Sequence, residues 1–499
     1  MSKILKILFF ATVIFNLILA SWNVLHQDVL FTSEIARDFW LLEELDLKKI
    51  ILIGPSSTTG LFHGPLWTYV NYPAYFIGNG NPVVVGWFWI FLVIAFLISS
   101  FYFAKKLFDK KTAYFFTLMI SVYSVYVAKG LYNPHGAMLI LPAFFFFFAR
   151  YIQTFKLRYL IAHILAAGAL VQFQMAIGIP FFILSILYVG FISIKQKKFR
   201  PIIFYSLIVA TLSNFILFDL RHQFLLFRLT LRFVTSAGRD HPDFIGLFYQ
   251  RFKLMTSGVE FLRVDPGYIN LVIFLVFLAL VIYQIKNNKY RKVYISFLYF
   301  YFGYMLLSLL NSGVLLYFYF FPLFPLAFLI FSSFITSRFS KVFATIFFVI
   351  FIFNMQAAIS DTKTESLSIG SSKDSWLFLK NAAFKMFAAG ENGFGYFVYS
   401  PDTVAYREKY ATNYIRKNSN KPSYYFQKMP VTYIFIAPPP RSDPFMKEDW
   451  WIENQLHINK EPENEIVFRN GYKIAKYKFS KEEVNIDVEP NIDPGLIFR

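Results

Sequence analysis

Runs of roughly 17 to 25 apolar residues recur along this chain from its N-terminus to about Ser360 and then stop. A helix of that length crosses the ~30 Å hydrocarbon core of a bilayer, and a soluble core has no need of so many. The overall composition agrees, with 57% hydrophobic residues in 499 and a mean hydropathy of +0.48. Eleven spans are expected, at 4–24, 83–103, 112–128, 137–148, 159–171, 179–194, 202–220, 269–285, 293–310, 314–331 and 342–357. The 65 phenylalanines carry no functional meaning by themselves.

Charge placement orients these spans. Alternate connections hold Lys3 and Lys6; Lys105, Lys106, Lys110 and Lys111; Arg150, Lys156 and Arg158; Lys195, Lys197, Lys198 and Arg200; Lys286, Lys289, Arg291 and Lys292; and Arg338 with Lys341. That is 19 of the 30 basic residues before Ser360, against one acid, Asp109, while the other eleven acids of the region fall in the opposite connections. Such alternation is the positive-inside rule, so the N-terminus is expected in the cytoplasm and the acidic connections outside a cytoplasmic (plasma) membrane. The formal charge of +19 is thereby a topology signal, and no nucleic-acid partner is expected. The first run could pass for a signal peptide ending near Ala20, but the later spans need it to keep their charge alternation, so it is expected to stay as a span. The absence of cysteine rules out disulfides, thiolate metal sites and a thiol nucleophile.

Three segments on the expected outer side are long: 25–82, 221–268 and the tail. The tail carries 19 Lys/Arg against 18 Asp/Glu, unlike the membrane part. The expected domains are therefore 1–360, transmembrane, and 361–499, a water-exposed module. Strand-like runs at 395–399, 431–436, 465–468 and 472–479 alternate with helix-like stretches at 375–388 and 403–416, which predicts a small α/β domain. In the tail, Trp450, Trp451, Tyr424 and Tyr425 could stack on sugar rings, although core packing is the plainer reading.

The first long connection concentrates the chemistry. Glu34 and Asp38 are four apart, so on a helical turn they share one face with Arg37 beside them. Acids just beyond the end of a span can serve as a base, a metal ligand or an acceptor for a substrate hydroxyl, or simply solvate a loop helix. IGPSSTTGLFHGPL follows, with His63 ahead of Gly64, Pro65 and Leu66 and then the aromatics Trp67, Tyr69 and Tyr72, residues that suit an interfacial or re-entrant segment. GNG at 78–80 lacks the strand, helix and spacing of a nucleotide fingerprint.

Taken together, EIARD, the IGP-S-TTG-F-HGPL string, Asn133-Pro134-His135 opening the fourth span and FDLRHQF closing the seventh resemble the polytopic GT-C glycosyltransferases. Within that superfamily the chain resembles the dolichyl-phosphate-mannose protein mannosyltransferases and the bacterial aminoarabinose transferase of lipid A. The resemblance covers about residues 1–355 and is strongest in the first long connection. It implies a GT-C-like helical membrane domain of about 11 spans with a C-terminal extracytoplasmic α/β domain. It further implies transfer of a sugar from a polyprenyl-phosphate carrier, with inversion, to a protein, lipid or glycan acceptor on the outer face. By resemblance Glu34 is the base for the acceptor hydroxyl, with Asp38 orienting the acceptor or a metal.

A departing phosphate calls for positive charge. Arg221, at the end of the seventh span beside Asp219 and His222, is the first choice; a forked guanidinium suits phosphate, though an interfacial anchor paired with Asp219 would look the same. Arg37 and Lys129 are expected to join it, with Arg228 and Arg232 as alternatives. His63, Pro65, Tyr132, Asn133 and His135 are expected to shape the cavity. The chain departs from its kin in having Glu34 where many have Asp, and Asn133 and His135 where several have a second acid. His63 stands where the aminoarabinose branch has an acid that helps hold a metal. His63 and His222 are thus candidate ligands for a divalent metal, and no other cofactor is expected. Two further readings share the topology. A lipid-linked glycan transporter or flippase would place charges at midplane depth. A surface-glycan polymerase or ligase would use a diphosphate-linked donor.

Overall fold

The computed structural model describes residues 3–489 except 58–59, 237–243, 258–260, 263–266, 288, 311–315, 391–392, 403, 441 and 444. Parts of the second long connection (221–268), the start of the tenth expected span and the last ten residues of the tail therefore lie outside the described residues. The chain divides into two units: Met1–Ser21, Ile50–Val70 and Phe88–Thr362, and separately Trp22–Lys49, Asn71–Trp87 and Lys363–Arg499. The Ser33–Lys48 helix of the first long connection thus groups with the tail.

The first unit is a multi-pass helical membrane body. Among the described residues, seven helices are long and apolar enough to cross a bilayer: Lys3–Ala20, Pro82–Leu107, Asn133–Thr154, Met175–Lys195, Tyr268–Lys286, Tyr317–Thr336 and Ser340–Ser366. Among the described residues, each of the eleven apolar runs falls largely on helical structure. Those at 112–128, 159–171 and 293–310 lie on Lys110–Val127, Leu157–Phe173 and Arg291–Ser308. Capping follows the sequence, since Asp109 accepts the Thr112 amide at 2.8 Å and so starts the Lys110–Val127 helix. Phenylalanines supply much of the contact between helices. Phe181 stacks on Phe300 at 5.1 Å, and Phe148 meets Phe300 edge-on at 4.8 Å.

The seventh run, expected as one continuous span, is bent. Arg200–Thr211 and Ser213–Arg221 meet at 51°, with Leu212 out of helical geometry. Two hydroxyls explain the bend: Thr211 Oγ1 donates back to the Ile208 carbonyl at 2.9 Å and Ser213 Oγ to that of Ala210 at 3.0 Å. The bend frees the Thr211 carbonyl, which accepts instead from Gln172 Nε2 at 2.8 Å. Non-helical backbone at membrane depth needs such a partner.

The second unit has a five-stranded sheet in the order β2-β1-β3-β5-β4, with β1 Phe394–Tyr399, β2 Ser423–Tyr425, β3 Val431–Ile436, β4 Asn464–Val467 and β5 Lys473–Lys478. β1 runs parallel to β2 and β3, while β5 runs antiparallel to β3 and β4. Phe397, Ile434, Ile436 and Ala475 form its core with Leu456. The helices Trp376–Ala389 and Tyr406–Lys417 complete the expected α/β module. Of the aromatic pairs, Trp451 packs on Tyr399 and Tyr425 on Tyr396, while Trp450 and Tyr424 are exposed.

The Ser33–Lys48 helix is built into this unit. Phe31 packs on Trp376 at 5.1 Å and Phe39 on Tyr410 at 5.3 Å. Asp28 accepts from Ser375 Oγ at 2.6 Å and from the Leu377 amide at 2.9 Å. Glu43 accepts from Asn413 Nδ2 at 2.9 Å and pairs with Lys417 at 2.7 Å. The GNG segment is a turn between helices: Gly80, at φ +78, gives its carbonyl to Tyr410, and Asn81 caps the helix beginning at Pro82.

Candidate functional site

Glu34, Arg37 and Asp38 belong to the second unit; His63, Lys129, Tyr132, Asn133, His135, Arg221 and His222 belong to the first.

On the Ser33–Lys48 helix, Ile35, Phe39, Leu42 and Glu43 are buried, whereas Glu34 is not. Glu34 lies in the first turn, exposed and with no hydrogen-bond or ion-pair partner among the described residues. Its carboxylate is therefore accessible and uncommitted, as a base for an external hydroxyl must be. Asp38 shares the face of Glu34 but is 6% exposed, and its Oδ1 takes Arg37 Nη2 at 3.2 Å. The structure thus joins a half-buried Arg37 to a buried Asp38 beside a free Glu34. In the last turn of the helix, Asp46 accepts from Tyr72 at 2.8 Å; this bond, together with Lys49, holds the Asp46 carboxyl below its usual range.

In the first unit the segment after Ile50 doubles back on itself. Gly54 donates to the His63 carbonyl at 2.8 Å and His63 to that of Pro55 at 2.9 Å, and Ser56 bridges Phe62. Two glycines permit the close approaches that follow. A Cβ on Gly54 would sit 2.2 Å from the Gly64 carbonyl oxygen, and one on Gly64 would sit 1.7 Å from Gln172 Oε1. Gly64 in turn donates to the Gln172 carbonyl at 2.9 Å. Pro65 then ends the loop, its carbonyl accepting from Tyr69 in the first turn of Leu66–Ile77.

That joint gathers several candidates. His63 Nδ1 lies 3.5 Å from the Met175 amide. Asn133 Nδ2 donates to the Phe173 carbonyl at 3.0 Å, and Gly136 lies so close to Phe173 that an added Cβ would touch its ring at 2.6 Å. His135 turns back to accept from the Tyr132 amide at 3.2 Å, closing the start of its helix, with Phe321 against its ring. Lys129 is 9% exposed and its Nζ lies 5.6 Å from the centre of the Tyr126 ring.

Three residues of this joint escaped the sequence reading. Gln172 Nε2 donates to Asn214 Oδ1 at 2.5 Å, and Asn214 Nδ2 donates to the Leu52 carbonyl at 2.8 Å, which ties the loop to the bent helix. Gln174, between Leu157–Phe173 and Met175–Lys195, is fully buried, with neither amide atom partnered among the described residues. The signal that could have found them is the presence of amides in otherwise apolar spans.

At the end of the bent helix Phe62 packs on Phe218, and His222 stacks on Phe218 at 4.0 Å while its Nδ1 donates to the Phe218 carbonyl at 2.8 Å. Asp219 is engaged elsewhere than the sequence suggested. Its two oxygens accept the Leu226 and Phe227 amides at 2.6 and 3.1 Å, capping Leu225–Ser236. The pairing with Asp219 that the alternative reading of Arg221 as an anchor supposed is therefore not formed among the described residues, because a cap satisfies two amides that would otherwise lack partners. Arg221 is exposed and without a partner among the described residues. The same holds for Arg228, on an amphipathic helix. Among the described residues no group of three or more His, Cys, Asp or Glu is gathered as for a metal, so His63 and His222 have no third protein ligand of that kind there.

No protein-family model matches the sequence, and neither does any curated protein. Among solved structures the chain is similar to ArnT from Cupriavidus metallidurans bound to undecaprenyl phosphate, with a TM-score of 0.57 over 95% of this chain and 98% of that one at 10% identity. ArnT of the same organism in the apo state matches with a TM-score of 0.45 over 94% and 97% at 9% identity. The first likeness, spanning nearly the whole of both chains, is one of fold.

Proposed function

We propose that this chain is a membrane glycosyltransferase of the GT-C type, which moves a sugar from a polyprenyl-phosphate carrier to a hydroxyl acceptor on the outer face of the cytoplasmic membrane. The observation that carries the reading is the shared fold with a protein crystallised with undecaprenyl phosphate. The free carboxylate of Glu34 and the free guanidinium of Arg221 support it, because they are the two chemical pieces that glycosyl transfer requires.

In the proposed reaction Glu34 takes the proton of the acceptor hydroxyl as its oxygen attacks the anomeric carbon. The bond from that carbon to the phosphate oxygen breaks, and both electrons leave with the carrier phosphate. Attack opposite the leaving group inverts the centre. Arg221 meets the growing phosphate charge with paired N–H donors. Arg37 holds Asp38, so their role is to set the helix face that carries Glu34, or to meet the acceptor, rather than to take its proton. Lys129 is assigned to the phosphate, while His63, Pro65, Tyr132, Asn133 and His135 shape the cavity. The N-terminus is assigned to the cytoplasm and the α/β module to the outside, following the basic connections.

The test is incubation of purified protein with labelled polyprenyl-phosphate and polyprenyl-diphosphate sugars, side by side with Glu34→Gln. Transfer from the monophosphate alone, reduced about 10²–10⁴-fold in the variant at unchanged yield and membrane insertion, is the expected result. A product made only from the diphosphate would point to a polymerase or ligase, and no product from either would point to a flippase. Full activity in Glu34→Gln would refute its role as base.

A further inference from the structure

At the end of the membrane body that carries its basic connections, a cavity of about 570 Å³ opens beside the Lys3–Ala20, Lys110–Val127 and Ser340–Ser366 helices. That volume falls within the roughly 300–1,000 Å³ of ordinary ligand sites. Leu8, Phe9, Phe115, Leu118 and Phe351 form apolar walls, and Lys6, Lys110 and Lys111 also line it. The first two helices run parallel. Phe9 meets Tyr114 at 4.8 Å, and buried Asn16 donates to Ser121 at 2.8 Å, one offset serving both contacts. The same offset brings Lys6 level with Lys111, so the three lysines sit together at one end of the apolar walls.

These lysines are exposed, and none has a carboxylate partner among the described residues. The nearest acid in sequence, Asp109, is engaged at the helix start by the Thr112 amide. Lys110 Nζ lies 6.0 Å from the centre of the Tyr114 ring, which leaves its charge uncompensated. An apolar trough ending in three uncompensated ammonium groups is complementary to an acyl chain joined to a phosphate.

We infer that this groove is a binding site for an anionic membrane phospholipid, with one acyl chain between the three helices and its phosphate on Lys6, Lys110 and Lys111. It is a different site from that of the proposed sugar donor. The Lys110–Val127 helix has 18 residues and so runs ~27 Å from the lysines to the end where Lys129, Tyr132 and Asn133 follow. A carrier lipid with its phosphate near Lys129 cannot reach the three lysines with the same group. The inference needs only the membrane, and it stands whether or not the chain transfers sugars.

Native mass spectrometry of the full-length protein in detergent tests it, with dioleoyl phosphatidylglycerol, dioleoyl phosphatidylcholine and undecaprenyl phosphate as probes. Phosphatidylglycerol is expected to be retained in preference to phosphatidylcholine. The triple variant Lys6→Gln/Lys110→Gln/Lys111→Gln is expected to lose affinity for it by on the order of 100-fold, from about a tenfold effect or somewhat less per lysine. Leu118→Trp, which fills the groove and keeps the lysines, is expected to weaken binding about tenfold or more. The control Lys195→Gln/Lys197→Gln/Lys198→Gln removes equal charge from another connection and is expected to bind as the parent does. Equal retention of both phospholipids, an unaffected lysine triple, or a control that loses as much would overturn the site. Unchanged binding in a folded Leu118→Trp would overturn the groove, and one-for-one displacement of phosphatidylglycerol by undecaprenyl phosphate would assign it to the carrier instead.

Discussion

Gly64→Ala tests whether the joint around Gln172 holds the first long connection in place. The added Cβ would meet Gln172 Oε1 at 1.7 Å, its Cδ at 2.6 Å and its Cα at 2.9 Å. A side-chain tip could swing away cheaply, but Gln172 is held by bonds to the Thr211 carbonyl at 2.8 Å and Asn214 Oδ1 at 2.5 Å, and its α-carbon can retreat only if the backbone shifts. Displacing the amide forfeits two hydrogen bonds of about 0.5–1.5 kcal/mol each and leaves part-buried acceptors unsatisfied, which gives a loss of roughly 1–4 kcal/mol. Thermal unfolding of the purified full-length protein is expected to show a drop of several degrees. Gly190→Ala is the matched control: nothing lies within 4 Å of its added Cβ inside the Met175–Lys195 helix, so it is expected to be neutral or slightly stabilising. Gln172→Ala removes the clashing atoms of the side chain, so the double variant with Gly64→Ala should be less damaged than the sum of the singles, by about 0.5–3 kcal/mol. A Gly64→Ala protein that melts with the parent, or strict additivity in the pair, would refute the reasoning.

Arg221→Ala is expected to lower transfer by about 10²–10³-fold with Tm unchanged, since the guanidinium has no protein partner to lose among the described residues; Arg221→Lys should recover only part, and equal rates in all three proteins would remove Arg221 from the phosphate. In the second unit Glu408 is fully buried, and burial raises its carboxyl above the ordinary 4.5 despite Arg407 at 3.3 Å and a hydrogen bond from Tyr472. The folded form therefore holds this proton more tightly than the unfolded chain does, so its contribution to stability is greatest in acid and declines as pH rises through 4.5 and above. Amide exchange over β1 and β3 in the full-length protein, followed across that window, should show this decline flattened in Glu408→Gln; identical profiles in the two proteins would contradict it.

The legible parts of this fold are those whose signal is local. Among the described residues each apolar run falls largely on helix because hydropathy depends only on neighbours in sequence, and β1, β3, β4 and β5 lie within a residue or two of the expected strands because alternation does too. β2 was missed because three residues, Ser423–Tyr425, are too few to display a period. The break at Leu212 was missed for a different reason. Thr211 and Ser213 are ordinary residues of a span until their hydroxyls turn onto carbonyls of the preceding turn, and a hydropathy average cannot register that choice. Asp219 shows the same limit at a site: its neighbour Arg221 is the obvious partner by proximity, yet amides seven and eight residues ahead take both oxygens.

The candidate site divides along a similar line. Arg221 could be named because it is a charge closing an apolar run, where charge stands out, and Glu34 because it belongs to the EIARD string of the first long connection. Gln172, Gln174 and Asn214 could not, because single amides barely lower the mean hydropathy of the segments around them. Their weight appears only when three of the four strings singled out in sequence are seen to share one anchor. Gly64 of the HGPL string bonds the Gln172 carbonyl, Asn133 of the Asn-Pro-His string bonds the Phe173 carbonyl, and Asn214, one turn ahead of the FDLRH string, bonds the Gln172 amide. Each string thus owes its place to backbone or amide groups within two residues of the turn at Gln174. A motif read as chemistry can in this way be partly a motif of assembly, and the two are separable by experiment. Variants at Gly64 and Gln172 should lower stability and activity together, whereas those at Glu34 and Arg221, which are exposed and uncommitted, should lower activity alone.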